Sequence, residues 1–143
     1  MLDLHATIEP GKTAAGLSIG ESVTGLPEAA VATRSSRGAE IELFDFGPVR
    51  VWVKDGVIYQ IGVRHGYSGH VGGTTIGIGS SIQQVRDVLG PVFEDNEDNL
   101  VVAQVPGLCF ETEAWRGDPG RETVEENLDA KLTEIFVFPV QAS

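Results

Sequence analysis

The sequence predicts an α+β fold: two tandem helix-plus-antiparallel-meander repeats forming one sheet, with the helices on one face. Three observations predict it. Gly16-Leu17-Ser18-Ile19-Gly20-Glu21-Ser22-Val23 aligns with Thr75-Ile76-Gly77-Ile78-Gly79-Ser80-Ser81-Ile82 at an offset of 59 residues. That offset persists, carrying Ile41, Leu43 and Phe44 onto Leu100, Val102 and Ala103, and Val49, Val51 and Val53 onto Leu108, Phe110 and Thr112. It then changes to 74, which carries Ile58, Ile61 and Val63 onto Leu132, Ile135 and Val137. The 15-residue difference is an insertion in the second copy. The expected division is residues 1–70 and residues 71–143, with an acidic insertion at 116–131, packed as one compact domain.

The elements follow in order. Residues 2–9 alternate weakly and are expected to form a first strand. Pro10-Gly11-Lys12-Thr13 has the ending of a phosphate loop, but Ala6 stands where the loop needs glycine and Pro10 removes an amide; it reads as a turn. Ser22 can cap a helix, Gly25 and Pro27 interrupt it, and Pro27 can instead open a helix over Pro27–Ala32. Thr33–Ala39 reads as a loop. Ala39–Phe46 and Val49–Lys54 are apolar and β-branched strands joined at Gly47-Pro48. Asp55-Gly56 is a two-residue hairpin turn, and Val57–Val63 is the return strand. Arg64–Thr74 reads as a flexible linker between the repeats. His65 and His70 within it match no closed metal site by spacing.

The second helix is the best-specified element. Ser80 and Ser81 are N-cap candidates, with Gln83 and Gln84 three residues later at capping-box spacing. Ile82, Val85, Val88 and Leu89 recur on one helical face, and Gly90-Pro91 stops the helix, so it is expected over Ser81–Leu89. Phe93–Asn99 is a solvated acidic loop lacking the glycine and terminal Glu of a calcium loop. Leu100–Val105, Cys109–Trp115 and Leu132–Phe138 form the second meander, with a short helix expected over Arg121–Leu128.

Charge separates the halves. Residues 1–74 carry six basic and eight acidic groups, whereas residues 75–143 carry four basic and 13 acidic groups, and the whole chain is net −11. Such a field repels nucleic-acid phosphates and attracts a basic partner. No apolar run reaches the length of a membrane helix. Met1-Leu2-Asp3-Leu4-His5 has no secretory pattern, so a cytoplasmic location is expected. The single cysteine, Cys109, cannot form an internal disulfide, and its apolar neighbours make it a buried thiol rather than a nucleophile.

Alternation then assigns faces. Val49, Val51 and Val53 point inward with Leu108 and Phe110. Arg50, Trp52 and Lys54 point outward with Gln60, Cys109, Glu111, Glu113, Trp115, Glu134 and Phe136. An open face bearing aromatics among charges suits protein recognition. The residues expected to meet a partner are Trp52, Trp115, Glu111, Glu113, Asp95, Glu97, Asp98, Asp118, Glu122 and Glu134. No nucleophile elbow, zinc-protease helix, cysteine pair or complete phosphate loop is present. No catalytic residue, metal or cofactor is therefore nominated, and an enzyme is not expected.

The glycine, capped helix and Leu89-Gly90-Pro91 ending, followed by a meander, resemble the small outer-membrane assembly lipoproteins of the SmpA/OmlA type. A tandem copy of that unit is similar to the β-lactamase inhibitor proteins. The chain departs from the lipoproteins in lacking a signal peptide and lipid-bearing cysteine, and from the inhibitors in lacking their disulfides. The resemblance implies a tandem fold that binds other proteins on its open sheet face. The leading expectation is an acidic inhibitor of the immunity-protein kind, neutralising a basic toxin such as a nuclease. The alternatives are an envelope or periplasmic assembly module, and an uncharacterised enzyme or small-ligand carrier.

Overall fold

The computed structural model describes residues 2–26, 31–35, 41–94, 99–113 and 124–140. The chain opens with a two-stranded ribbon, β1 (Thr13–Ala14) and β2 (Leu17–Ser18), and a 3-10 turn at Val23–Gly25. Four strands follow: β3 (Val31–Ser35), β4 (Ile41–Asp45), β5 (Val49–Lys54) and β6 (Val57–Arg64). Helix α1 (Ile82–Leu89) precedes β7 (Val92–Glu94), β8 (Leu100–Val102), β9 (Leu108–Thr112) and β10 (Leu132–Val137). The last eight strands form one antiparallel sheet in the order β3-β4-β5-β6-β10-β9-β8-β7. The two four-stranded meanders therefore meet at their final strands, β6 and β10.

Apolar alternation produces the core. Val49, Val51 and Val53 are fully buried on one side of β5. They join Ile58, Ile61, Val63, Leu108, Phe110, Leu132, Ile135 and Val137 in one core cluster. Ile8, Ala14, Ala15 and Leu17 from the N-terminal segment and Ile82 and Val85 from α1 complete it. Each fully buried Ile or Leu in such a cluster contributes roughly 1.5–3 kcal/mol over leaving it exposed.

Two irregularities preserve that inward pattern. The register of β5 on β6 passes from Trp52↔Gln60 to Val53↔Ile58, which leaves Tyr59 as an extra residue. The register of β10 on β9 passes from Leu132↔Thr112 to Glu134↔Glu111, which leaves Thr133 extra. Strict alternation from Leu132 would send Glu134 into the core and Ile135 out of it. The bulge reverses the phase, so Ile135 is fully buried in the core and Glu134 joins the outer face.

The turns form where their residues demand. Asp55 at φ 53 and Gly56 at φ 80 make the two-residue turn between β5 and β6. In α1, the Ser81 side chain accepts from the Gln84 amide while the Gln84 side chain accepts from the Ser81 amide, a complete capping box. Gly90, at φ 114, ends the helix.

The expected fold class is not what forms. The chain is mostly β, and α1 is its one α-helix among the described residues. The segment matching it in the first half, Gly16–Val23, instead supplies β2 and the start of the 3-10 turn. Ser22 caps only that turn, because Gly25 and Pro27 remove the residues that would propagate a helix. Two tandem helix-plus-meander repeats are therefore not present. Val31 and Ala32, expected to finish a helix, begin β3; the rest of Pro27–Ala32 lies outside the described residues. The strand expected over residues 2–9 reduces to isolated bridges at Ile8 and Glu9. Val92–Glu94 is a strand rather than the start of a loop, and Val124–Asn127 is a 3-10 turn.

The expected linker is an ordered part of the core. Tyr67, Val71 and Ile76 are buried. The Tyr67 hydroxyl accepts from the Ala15 amide at 2.9 Å and donates to the Ala6 carbonyl at 2.5 Å. Ile8 donates to the His70 carbonyl and accepts from the Gly72 amide, each at 2.8 Å. Gly69 has no room for a side chain, since a Cβ there would lie 2.1 Å from the Ala6 carbonyl oxygen. Gly69 therefore serves close packing against the N-terminal segment rather than flexibility.

Candidate functional site

Two surfaces carry the chemistry-bearing side chains. The first is the outer face of the sheet at the β6–β10 junction. Arg50 reaches from β5 across β6 to Glu134 on β10. Its Nε donates to Glu134 Oε2 at 3.0 Å and its Nη2 to Oε1 at 2.5 Å, a bidentate pair. Gly62 on the intervening strand makes this reach possible. A Cβ there would stand 2.6 Å from Glu134 Oε2, 3.1 Å from the Trp52 ring and 3.2 Å from Phe136. The Arg50 guanidinium lies over the Trp52 ring, 5.0 Å from its centroid. Trp52 and Phe136 are tilted against each other at 5.8 Å.

The charges continue across the face. Glu111 stands directly opposite Glu134, and Arg64 is its partner on the other side. Arg64 donates to both Asp45 carboxylate oxygens at 2.9 and 3.0 Å and to the Gly47 carbonyl at 2.6 Å. The two carboxylates flanking Arg50 are shifted in opposite directions from the usual carboxylate range. Burial raises the Glu134 carboxyl above the usual range, and the Glu111 charge adds to this against the pull of Arg50 and Arg64. Burial also pushes Asp45 upward, but the Gly47 amide and the two arginines outweigh it, and its carboxyl sits below the usual range.

The second surface is an open cleft of about 540 Å³ beside α1. Gln83, Glu113, Glu125, Asn127, Leu128, Asp129 and Ala130 line it. The Gln83 amide donates to the Leu128 carbonyl and the Ile82 amide to that of Ala130, which seats the helix start on the 124–130 segment. Arg86 pairs with Glu125 through Nη2 and Oε1 at the rim. The Lys131 amide donates to Glu113 Oε1 at 3.3 Å. Three carboxylates thus line one cleft. Among the described residues, no group of three or more His, Cys, Asp or Glu side chains is arranged to hold a metal ion.

The fold has a solved counterpart. The chain is similar to the crystal structure of the uncharacterized protein yfeY from Escherichia coli, with a TM-score of 0.67 over 93% of this chain and 99% of that one. At 14% identity the likeness is one of fold. No family model and no curated protein matches the chain. Among the described residues no helix is long and apolar enough to cross a membrane.

The structure divides the nominated residues. Trp52, Glu111 and Glu134 share the outer face, while Glu113 lines the cleft. Trp115, Asp95, Glu97, Asp98, Asp118 and Glu122 lie outside the described residues. Alternation places Arg50 and Phe136 on the outer face, and only the β5–β6–β10 neighbourhood brings them into one cluster. Glu125 and Asp129 join Glu113 in lining the cleft, and in the sequence their four-residue spacing within the acidic connection is the signal that points to them. Cys109 is buried on β9, opposite Phe136.

Proposed function

We propose that the protein is a small acidic binding module that neutralises a basic protein partner, in the manner of an immunity protein against a toxin such as a nuclease. The observation that carries this reading is the acidic cleft beside α1, lined by Glu113, Glu125 and Asp129. It lies in the half of the chain with 13 acidic and four basic residues. Carboxylates gathered in an open cleft offer charge-assisted hydrogen bonds to Lys or Arg side chains. The surrounding field accelerates the encounter with a cationic surface and opposes nucleic acid. Occupying a nuclease's cationic site would exclude its anionic substrate. On this reading the protein works in the cytoplasm.

The test is calorimetric titration against the purified product of the adjacent gene at low and at physiological salt. The expected result is 1:1 binding that weakens at least tenfold between the two conditions and is lost in the Glu113→Gln/Glu125→Gln/Asp129→Asn variant. Binding indifferent to salt and to those substitutions would overturn the electrostatic mechanism. No binding would overturn the assignment of partner.

A further inference from the structure

The Arg50 guanidinium has two carboxylates within its reach. On one side it is held bidentate by Glu134, whose side chain is 7% exposed against 22% for Arg50. On the other, Asp45 is its register partner on β4. Asp45 already accepts two hydrogen bonds from Arg64, so it is a preformed anionic position. Among the described residues, the charged groups acting on Glu134 are Arg50 from β5, Arg64 from β6 and Glu111 from β9. Those acting on Asp45 are Arg64 and Arg50.

We infer that Arg50 is a two-position arginine: it holds Glu134 and covers Trp52 near neutral pH, and in mild acid it turns to Asp45 and uncovers the ring. The geometry supplies both positions on one face: Asp45 beside Arg50 on β4, and Glu134 on β10 reached over Gly62 of β6. The direction follows from the environments. Glu134 is buried beside a second carboxylate, Glu111, so it is the first of the two to take up a proton. Asp45, held by the Gly47 amide and Arg64, keeps its charge to lower pH. Between the two titrations one neighbour of Arg50 is neutral and the other anionic, and the guanidinium follows the charge. A neutral carboxyl suits the buried Glu134 site better than a carboxylate, so the strands stay paired. The outcome is a changed surface on an intact sheet.

The experiment follows the full-length protein from pH 7 to pH 4. One reporter is Trp52 fluorescence in a Trp115→Phe background; the other is the Arg50 Nε–H resonance. Both are expected to move together, with a midpoint above the about 4.3 of an ordinary Glu, while far-UV circular dichroism stays constant. Glu134→Gln is expected to show the acid-form signals already at pH 7 and to lose the titration. Asp45→Asn is expected to leave the Trp52 change and to shift the acid-form Arg50 resonance to that of a solvated guanidinium. An Arg50 resonance that stays fixed between pH 7 and 4 in the wild-type chain overturns the inference, whatever the variants do. So does an unchanged midpoint in Glu134→Gln, or an acid-form Arg50 resonance in Asp45→Asn identical to wild type.

Discussion

At the scale of residues, the Arg50–Glu134 pair is an asymmetric one. Glu134 is more deeply buried than its partner, so losing either side has a different cost. Arg50→Met leaves a buried carboxylate without its bidentate donor and is expected to destabilise by about 3 kcal/mol. Glu134→Gln leaves a guanidinium that can reach water and Asp45, and is expected to change stability by less than about 1 kcal/mol. Urea denaturation at pH 7 distinguishes the two, and equal losses would refute the asymmetry. The pH dependence has a definite sign. The folded-state pKa of Glu134 is raised, so its stabilising contribution is fully present below the unfolded-state value and is lost as pH rises through the folded-state value. Much of the Arg50→Met deficit should therefore disappear near pH 4, where Glu134 is protonated. Asp45 runs the other way: its contribution is present at neutral pH and is lost as pH falls through its lowered folded-state value.

Gly62 belongs to the same scale. A single Cβ there meets Glu134, Trp52 and Phe136 together. Gly62→Ala is expected to cost about 1–3 kcal/mol through overpacking and to quench the Arg50 Nε–H signature of the bidentate pair. A neutral substitution with that signature intact would show that the cluster yields easily.

Among elements, the stretch from Arg64 to Ile76 gains most from its neighbours. Its glycines and histidines carry no periodicity, and alone it has no reason to order. Tyr67 supplies the reason, because its buried hydroxyl satisfies an Ala15 amide and an Ala6 carbonyl in one contact. Tyr67→Phe leaves both backbone groups without that partner and is expected to cost about 1–3 kcal/mol. Hydrogen exchange should accelerate at the Ile8 and Gly72 amides, which bridge the same two segments. Unchanged protection there would mean that apolar packing alone holds the N-terminal segment. Helix α1 presents the opposite case, since its cap, stripe and stop are all local. Ser81→Ala should cost about 1 kcal/mol by chemical denaturation.

Across the whole molecule, charge is the dominant global quantity. A net charge of −11 on 143 residues makes the folded state self-repelling. Salt shortens the range of that repulsion to about 8 Å at physiological ionic strength. The urea midpoint is expected to rise as sodium chloride increases from 0.01 to 0.3 M, whereas partner binding should weaken over the same range. A midpoint that falls with salt would mean that favourable ion pairs outweigh repulsion.

The chain's own pattern determined the strands β4, β5, β6, β8, β9 and β10 but not β3 or β7, together with the Asp55-Gly56 turn, the start and end of α1, and the inward direction of Val49, Val51 and Val53. Each depends on spacing or on one residue's local conformational preference. The two bulges were also written in the chain, as the three-residue spacing of Ile58 to Ile61 and of Leu132 to Ile135. Gly25 and Pro27 also mark in the sequence why Gly16–Val23 does not become a second helix despite matching the first at a fixed offset. The tertiary structure alone decided that Tyr67, Val71 and Ile76 of the glycine-rich middle are buried, and that Arg50 and Glu134, 84 positions apart, become partners. The physical reason is common to both. Each outcome depends on desolvation and close approach between segments distant in the chain, and neither quantity exists until the sheet has formed.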